Sequence, residues 1–301
     1  MTTTIRTVCV LGTGTMGQGI AQVTAAAGLV TRLYDAEPGR AEQAVARVTA
    51  QLDRLVEKGK RTAAERELTL ASLRVATELR GACEDVDLAV EAAPETMELK
   101  VKLLGEVVLL SPPHALMGSN TSSLSLTELG ARIGAPERTV GLHFFNPPPV
   151  MELLEVVRGI ATSDATVDAA TAFAAHIGKT AIVVRDVPGF ASSRLGVILG
   201  AEAIRMLESG VASAADIDRA MELGYRHPMG PLKLTDLVGL DVRLAILDHL
   251  HREVGEQFRA PPLLRQMVRA GKLGKKSGEG FYVWKDGVAQ PADLRERSKG
   301  G

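Results

Sequence analysis

Two side chains in the middle of the chain are of the types that move a proton. His143 follows the apolar run Val140-Gly141-Leu142, and Glu155 lies 12 residues later inside another, Leu153-Leu154-Glu155-Val156-Val157. An imidazole titrates at about pH 6.5, close to working pH, which suits a general base. A carboxylate beside it fixes the tautomer and stabilises the imidazolium that forms. An acid within an apolar run needs a partner, which argues for a pair. Spacing alone, however, leaves a core or surface histidine at least as good a reading of His143. Ser122 on its own reads as a loop or helix-capping serine.

A second constellation opens the chain. The apolar run Val8 to Leu11 breaks into Gly12-x-Gly14-x-x-Gly17, and Ile20, Val23 and Ala27 then recur at helical spacing. Strand, glycine turn and helix start in this order suit a pyrophosphate. Gly12 makes the tight turn, Gly14 lets the backbone approach the phosphates, and Gly17 lets the helix lie close to the strand. The N–H groups of the first helical turn, at Thr15 and Met16, face the anion together with the helix dipole. A strand-like run, Leu29 to Tyr34, ends at Asp35, 23 residues after Gly12. A carboxylate there takes a ribose 2′-hydroxyl and repels a 2′-phosphate, so the cofactor reads as NAD rather than NADP. Arg40 softens that choice, since a nearby arginine can hold a 2′-phosphate.

These residues need a scaffold, and the pattern supplies one. Strand-like runs at 73–75, 86–91, 116–120 and 140–146 alternate with helical stretches, including one from Pro38 to Gly59 and one at 97–110. Such alternation predicts a doubly wound parallel sheet, whose ligands collect at the carboxyl ends of the strands. Gly12, Asp35, Glu95 and Asn120 fall at such ends. Pro147, Pro148 and Pro149 force an extended loop between the strands that carry His143 and Glu155. Adjacent strands lie about 4.8 Å apart, so those two residues can touch. The basic tail Lys58-Gly59-Lys60-Arg61 reads as a solvated helix end, with a phosphate contact as the alternative.

A further strand at 181–184 is stopped by Asp186-Val187-Pro188-Gly189. Helical segments then follow near 190–209, 213–223, 230–238, 241–255 and 261–270, before a last strand signal at 280–284. The expected division is 1–186, a Rossmann-type α/β domain, and 187–301, an all-α C-terminal domain for substrate binding and dimerisation. Residues after about Lys285 read as poorly anchored.

The net charge of −1 gives no electrostatic reason for a nucleic acid or an anionic membrane as main partner. The longest apolar runs are too short to span a bilayer. The N-terminus runs straight into the first strand, so no signal peptide is expected, and a cytoplasmic location is. Two cysteines, Cys9 and Cys83, give neither a disulfide framework nor metal spacing. His114, His176, His227, His249 and His251 show no metal spacing either and read as structural or surface groups.

The chain resembles the 3-hydroxyacyl-CoA dehydrogenase family. The resemblance rests on Gly12 to Gly17, Ser119-Asn120-Thr121-Ser122-Ser123, Gly141-Leu142-His143-Phe144-Phe145-Asn146-Pro147, Pro188-Gly189-Phe190, His227-Pro228-Met229-Gly230-Pro231 and Gly278-Glu279-Gly280-Phe281-Tyr282. It covers residues 5 to 285, and the length looks like the stand-alone short-chain (3-hydroxybutyryl-CoA) branch. The resemblance implies reversible NAD-dependent oxidation of a (S)-3-hydroxyacyl-CoA by a homodimer. It implies His143 as the general base, Glu155 as the acid that orients it, and Ser122 near the substrate oxygen and the nicotinamide. It places Asp35, Glu95, Lys100 and Lys276 around the cofactor and Lys58 on the CoA phosphates. One position departs from the pattern: Ser193 stands where the family carries an asparagine before Arg194, which changes how the substrate carbonyl is held. Two other readings stay open: a related dehydrogenase of a free hydroxy acid or sugar acid, and an NAD-binding protein without turnover.

Overall fold

The strand β1 (Thr7–Leu11) is buried on both faces, with Val8 and Val10 entering one apolar cluster and Cys9 and Leu11 another. The computed structural model describes residues 4–291 and divides the chain into two compact units after Phe190. In the first unit β1 is followed by α1 (Thr15–Ala26), β2 (Val30–Tyr34), α2 (Arg40–Glu57), α3 (Ala63–Ser72), β3 (Leu73–Val75), α4 (Leu79–Cys83), β4 (Leu88–Glu91) and α5 (Met97–Leu110). Then come β5 (Leu116–Ser119), α6 (Leu126–Arg132), β6 (Thr139–Phe144), β7 (Leu153–Arg158), α7 (Asp164–His176) and β8 (Thr180–Arg185). The strands form one sheet in the order β3-β2-β1-β4-β5-β6-β7-β8. The order reverses between β1 and β4, and a dinucleotide lies across that crevice in such sheets.

The sheet is parallel from β3 to β6 and then reverses. β7 pairs antiparallel with β6, and β8 follows β7 in parallel. The parallel arrangement expected from the alternation holds for β1 to β6, and the strands of His143 and Glu155 are neighbours, as the short proline link requires. Residues 145–152, the link between β6 and β7, are too few for the crossover that a parallel neighbour requires. The helix α3 also lay outside the periodicity reading. Its start is written in the sequence as a capping box, in which the Thr62 side chain accepts from the Glu65 N–H and the Glu65 carboxylate accepts from the Thr62 N–H.

The second unit is helical: α8 (Ser192–Glu208), α9 (Ala214–Arg219) running into a π-helical turn, α10 (Pro231–Val238), α11 (Leu240–Glu253) and α12 (Pro262–Arg269). It ends in an antiparallel hairpin of β9 (Tyr282–Lys285) and β10 (Val288–Pro291). The chain up to Pro291 is therefore anchored by pairing, contrary to the expectation for residues after Lys285; those after 291 lie outside the described residues. Two buried carboxylates tie the hairpin down. Asp236 accepts from the N–H groups of Phe281 (2.8 Å) and Tyr282 (2.9 Å) and from Trp284 Nε1 (2.9 Å), and Asp218 accepts from Tyr282 Oη (2.7 Å). No described helix is long and apolar enough to cross a membrane.

Candidate active site

The glycine turn begins directly after β1. Gly12 adopts φ +91°, a left-handed conformation, and a Cβ on it would meet the backbone of Ala92. A Cβ on Gly17 would lie 1.8 Å from the Gly12 carbonyl oxygen, so α1 can approach β1 only with glycine there. A Cβ on Gly14 would meet nothing within 4 Å. Gly14 faces a cavity of about 600 Å³ lined by Thr13, Thr15, Met16, Asp35, Arg40 and Ala93, among others. This space, at a helix N-terminus and beside a carboxylate, fits the adenosine and pyrophosphate half of NAD.

Asp35 follows β2 and is tied to the turn. Its Oδ2 accepts from the Thr13 N–H (2.8 Å) and Thr13 Oγ (2.7 Å), and its Oδ1 from the Glu37 N–H (3.1 Å). Burial pushes this carboxyl up. The hydrogen bonds from Thr13 and Glu37 and the Arg40 charge outweigh it and hold the group below the ordinary carboxylate range. The Arg40 guanidinium lies 3.2 Å from Glu37.

The carboxyl ends of β4 and β5 carry the next group. Lys100 from α5 is almost fully buried and holds Glu91 Oε1 at 2.7 Å and Glu95 Oε2 at 3.2 Å. Glu95 in turn gathers the loop after β5: its Oε1 accepts from Thr121 Oγ (2.6 Å), the Ser122 N–H (3.0 Å) and Ser123 Oγ (3.0 Å). Burial raises the Glu95 carboxyl, but Lys100 and these donors hold it low. Lys100 thus sits beneath the surface and acts on Glu95, while Ser122 is exposed. Asn120 Oδ1 accepts from the Phe144 N–H (2.9 Å) and links this loop to β6.

His143 and Glu155 face each other in the β6–β7 register, with Nδ1 2.6 Å from Glu155 Oε2. Glu155 is fully buried and His143 only 7 % exposed, its ring packed near those of Phe145 (4.7 Å) and Phe190 (5.7 Å). An ionised carboxylate can only accept, so Nδ1 carries the hydrogen and Nε2 of a neutral ring keeps its lone pair. Alternation along the strands puts Val140, Leu142 and Phe144 in one core, and Glu91, Ser119, His143 and Glu155 on the opposite face.

The remaining expected residues fall on other elements. Lys58 is exposed at the C-cap of α2. Ser193 is the second residue of α8, and Lys276 Nζ lies 2.7 Å from Asp241 Oδ2; both belong to the second unit. Sequence reasoning missed Glu91, Thr13 and Thr121. An acid ending the otherwise apolar β4 is the one signal that pointed to Glu91. Of the other histidines, His114 meets Asp87 (3.2 Å), His176 the Ala27 carbonyl (3.2 Å) and His251 Glu256 (2.9 Å). No three potential metal ligands cluster among the described residues.

Comparison with known proteins gives concordant matches. Residues 7–187 match the profile described as 3-hydroxyacyl-CoA dehydrogenase, NAD binding domain, and residues 189–284 that described as 3-hydroxyacyl-CoA dehydrogenase, C-terminal domain. The chain is 45 % identical over 283 residues to a probable 3-hydroxybutyryl-CoA dehydrogenase of Bacillus subtilis, covering 94 % of this chain and 98 % of that protein. It is 42 % identical over 297 residues to the 3-hydroxybutyryl-CoA dehydrogenase of Bradyrhizobium diazoefficiens, covering 98 % and 100 %. The crystal structure of the (S)-3-hydroxybutyryl-CoA dehydrogenase of Ralstonia eutropha superposes with a TM-score of 0.90 at 41 % identity, covering 94 % of this chain and 100 % of that one.

Proposed function

The chain belongs to the NAD-dependent 3-hydroxyacyl-CoA dehydrogenase family, and from that premise we propose that it interconverts (S)-3-hydroxybutyryl-CoA and acetoacetyl-CoA with His143 as the general base. The observation that carries this reading is the buried His143–Glu155 contact of 2.6 Å. In oxidation, Nε2 of His143 takes the hydroxyl proton, and NAD, held at the glycine turn and Asp35, would supply the acceptor for the C3 hydride. Glu155 holds the ring in the productive tautomer and balances the charge that forms on it. Ser122 orients the reacting oxygen, and Asp35 selects NAD over NADP through the 2′-hydroxyl. Lys58 binds the CoA phosphates; Lys276 belongs to the cofactor's surroundings, and Ser193 holds the thioester carbonyl with a single hydroxyl donor. The substrate half of the reading gains support from the printed names of full-length relatives. Exposed apolar side chains in the second unit, Leu195, Leu223 and Tyr225 among them, favour a homodimer through that unit's surface; a cytoplasmic location completes the proposal.

The test is initial-rate reduction of acetoacetyl-CoA with NADH, set against free acetoacetate and against NADPH. Turnover of the CoA ester with NADH alone is expected. Turnover of the free acid would move the chain to a hydroxy-acid dehydrogenase. Lys58→Ala should raise KM for the CoA ester several-fold and leave kcat unchanged.

A further inference from the structure

The charge cluster beneath the ends of β4 and β5 holds more negative charge than a structural clamp needs. Glu91 is fully buried, and its two oxygens accept four hydrogen bonds. Oε1 accepts from Lys100 Nζ (2.7 Å) and the Ala93 N–H (2.6 Å); Oε2 accepts from Lys100 Nζ (2.9 Å) and Ser119 Oγ (2.6 Å). Lys100 also meets Glu95 at 3.2 Å, and its exposure is 1 %. Two carboxylates thus share one ammonium, and the formal charges of the three side chains sum to −1. A glutamine at 91 would clamp Ala93 and Ser119 as well, without the cost of desolvating a second anion.

The place of the cluster gives that charge a use. Asp35 at the end of β2 marks the adenosine side of the crevice, and the glycine turn takes the pyrophosphate. The rest of a dinucleotide must therefore run the other way, over the ends of β4 and β5. There Glu95, which follows β4, is partly exposed. The nicotinamide ring is cationic when oxidised and neutral when reduced, while the rest of the cofactor keeps its charge. A fixed negative charge beside it acts on one state only.

We propose that the Glu91–Lys100–Glu95 cluster shifts the first unit's cofactor preference towards the oxidised form, with Glu91 as the positioning residue that supplies the surplus charge. The proposal rests on the NAD reading above. The test is the affinity of the whole protein for NAD⁺ and for NADH, measured by calorimetry and by fluorescence. In Glu91→Gln, Lys100 balances Glu95 alone, and Kd(NAD⁺)/Kd(NADH) should rise about three- to tenfold at the separations of a bound ring. The double variant Glu91→Gln/Lys100→Met restores the net −1 and should return the ratio towards that of the unaltered protein. If both affinities fall together, or if the ratio stays within twofold, Glu91 is only a clamp and the proposal fails. Should Glu91→Gln not fold, Glu95→Gln, at a partly exposed position, must move the ratio in the same direction, and an unmoved ratio there refutes it equally. An unaltered protein that binds neither nucleotide would overturn the cofactor reading instead.

Discussion

Replacing Glu155 by glutamine isolates the charge of the proton-transfer pair from its geometry. The amide oxygen still accepts from Nδ1–H, so the ring keeps its tautomer and place; what disappears is the anion facing the imidazolium that forms as the hydroxyl proton arrives. With Nδ1 and Oε2 2.6 Å apart, the charge centres lie about 4 Å apart, worth about 4 kcal/mol at an effective dielectric of about 20. Solvent screens this little, because Glu155 is fully buried and His143 nearly so. The retained neutral hydrogen bond recovers part of the loss, leaving about 2–4 kcal/mol of transition-state stabilisation, or roughly 30- to 1000-fold in kcat. The assay is initial-rate oxidation of 3-hydroxybutyryl-CoA at saturating NAD⁺, followed as NADH appears, with NADH affinity measured separately by fluorescence. On a His143→Ala background, Glu155→Gln should cost little more, because the two residues act as a unit. A kcat within threefold of the unaltered enzyme would refute the reasoning, as would a parallel loss of NADH affinity.

Three further outcomes follow from particular contacts. Gly17→Ala puts a methyl 1.8 Å from the Gly12 carbonyl oxygen; the turn must shift, with loss of NADH binding and about 1–3 kcal/mol or more of stability, whereas Gly14→Ala, which meets nothing within 4 Å, should weaken NADH binding and leave the thermal midpoint unchanged. Asp35 is held below its ordinary range in the folded state despite burial, so its contribution to stability is complete above its unfolded value of about 3.9 and is lost as pH falls through the lower folded value. The gap in denaturation midpoint between the unaltered protein and Asp35→Asn should therefore close in acid and be flat near neutrality. Asp236→Ala strands the N–H groups of Phe281 and Tyr282 and the Trp284 indole. At about 1–3 kcal/mol for each buried unsatisfied group, the second unit should lose roughly 3–9 kcal/mol, read by chemical denaturation of the whole chain.

Much of the first unit was legible because its signals are local. The run from Val8 to Gly17 reads as strand, turn and helix whatever the rest of the chain does, and the roles of Gly12 and Gly17 follow from the space a Cβ would need. Asp35 could be placed because a short strand ends at it. The His143–Glu155 contact was within reach because two apolar runs joined by a proline-rich link can only be neighbours, and an acid within one of them requires a partner. Thr62 and Glu65 mark the start of α3 in the sequence, but the helix buries little besides Thr69 and so lacks an apolar period. The strand at 288–291 was missed because a short edge strand has almost no pattern of its own.

The sequence by itself determined which residues can form elements and which element ends carry polar groups, since both depend on neighbours along the chain. Only the tertiary structure decided that β7 runs against β6, that Lys100 turns inward to two carboxylates rather than outward, and that Glu91, Ser119, His143 and Glu155 share one face of the sheet. Those contacts join positions from different strands and a helix. Their geometry is fixed by strand order and register, which are set by the packing of the whole sheet rather than by any one segment.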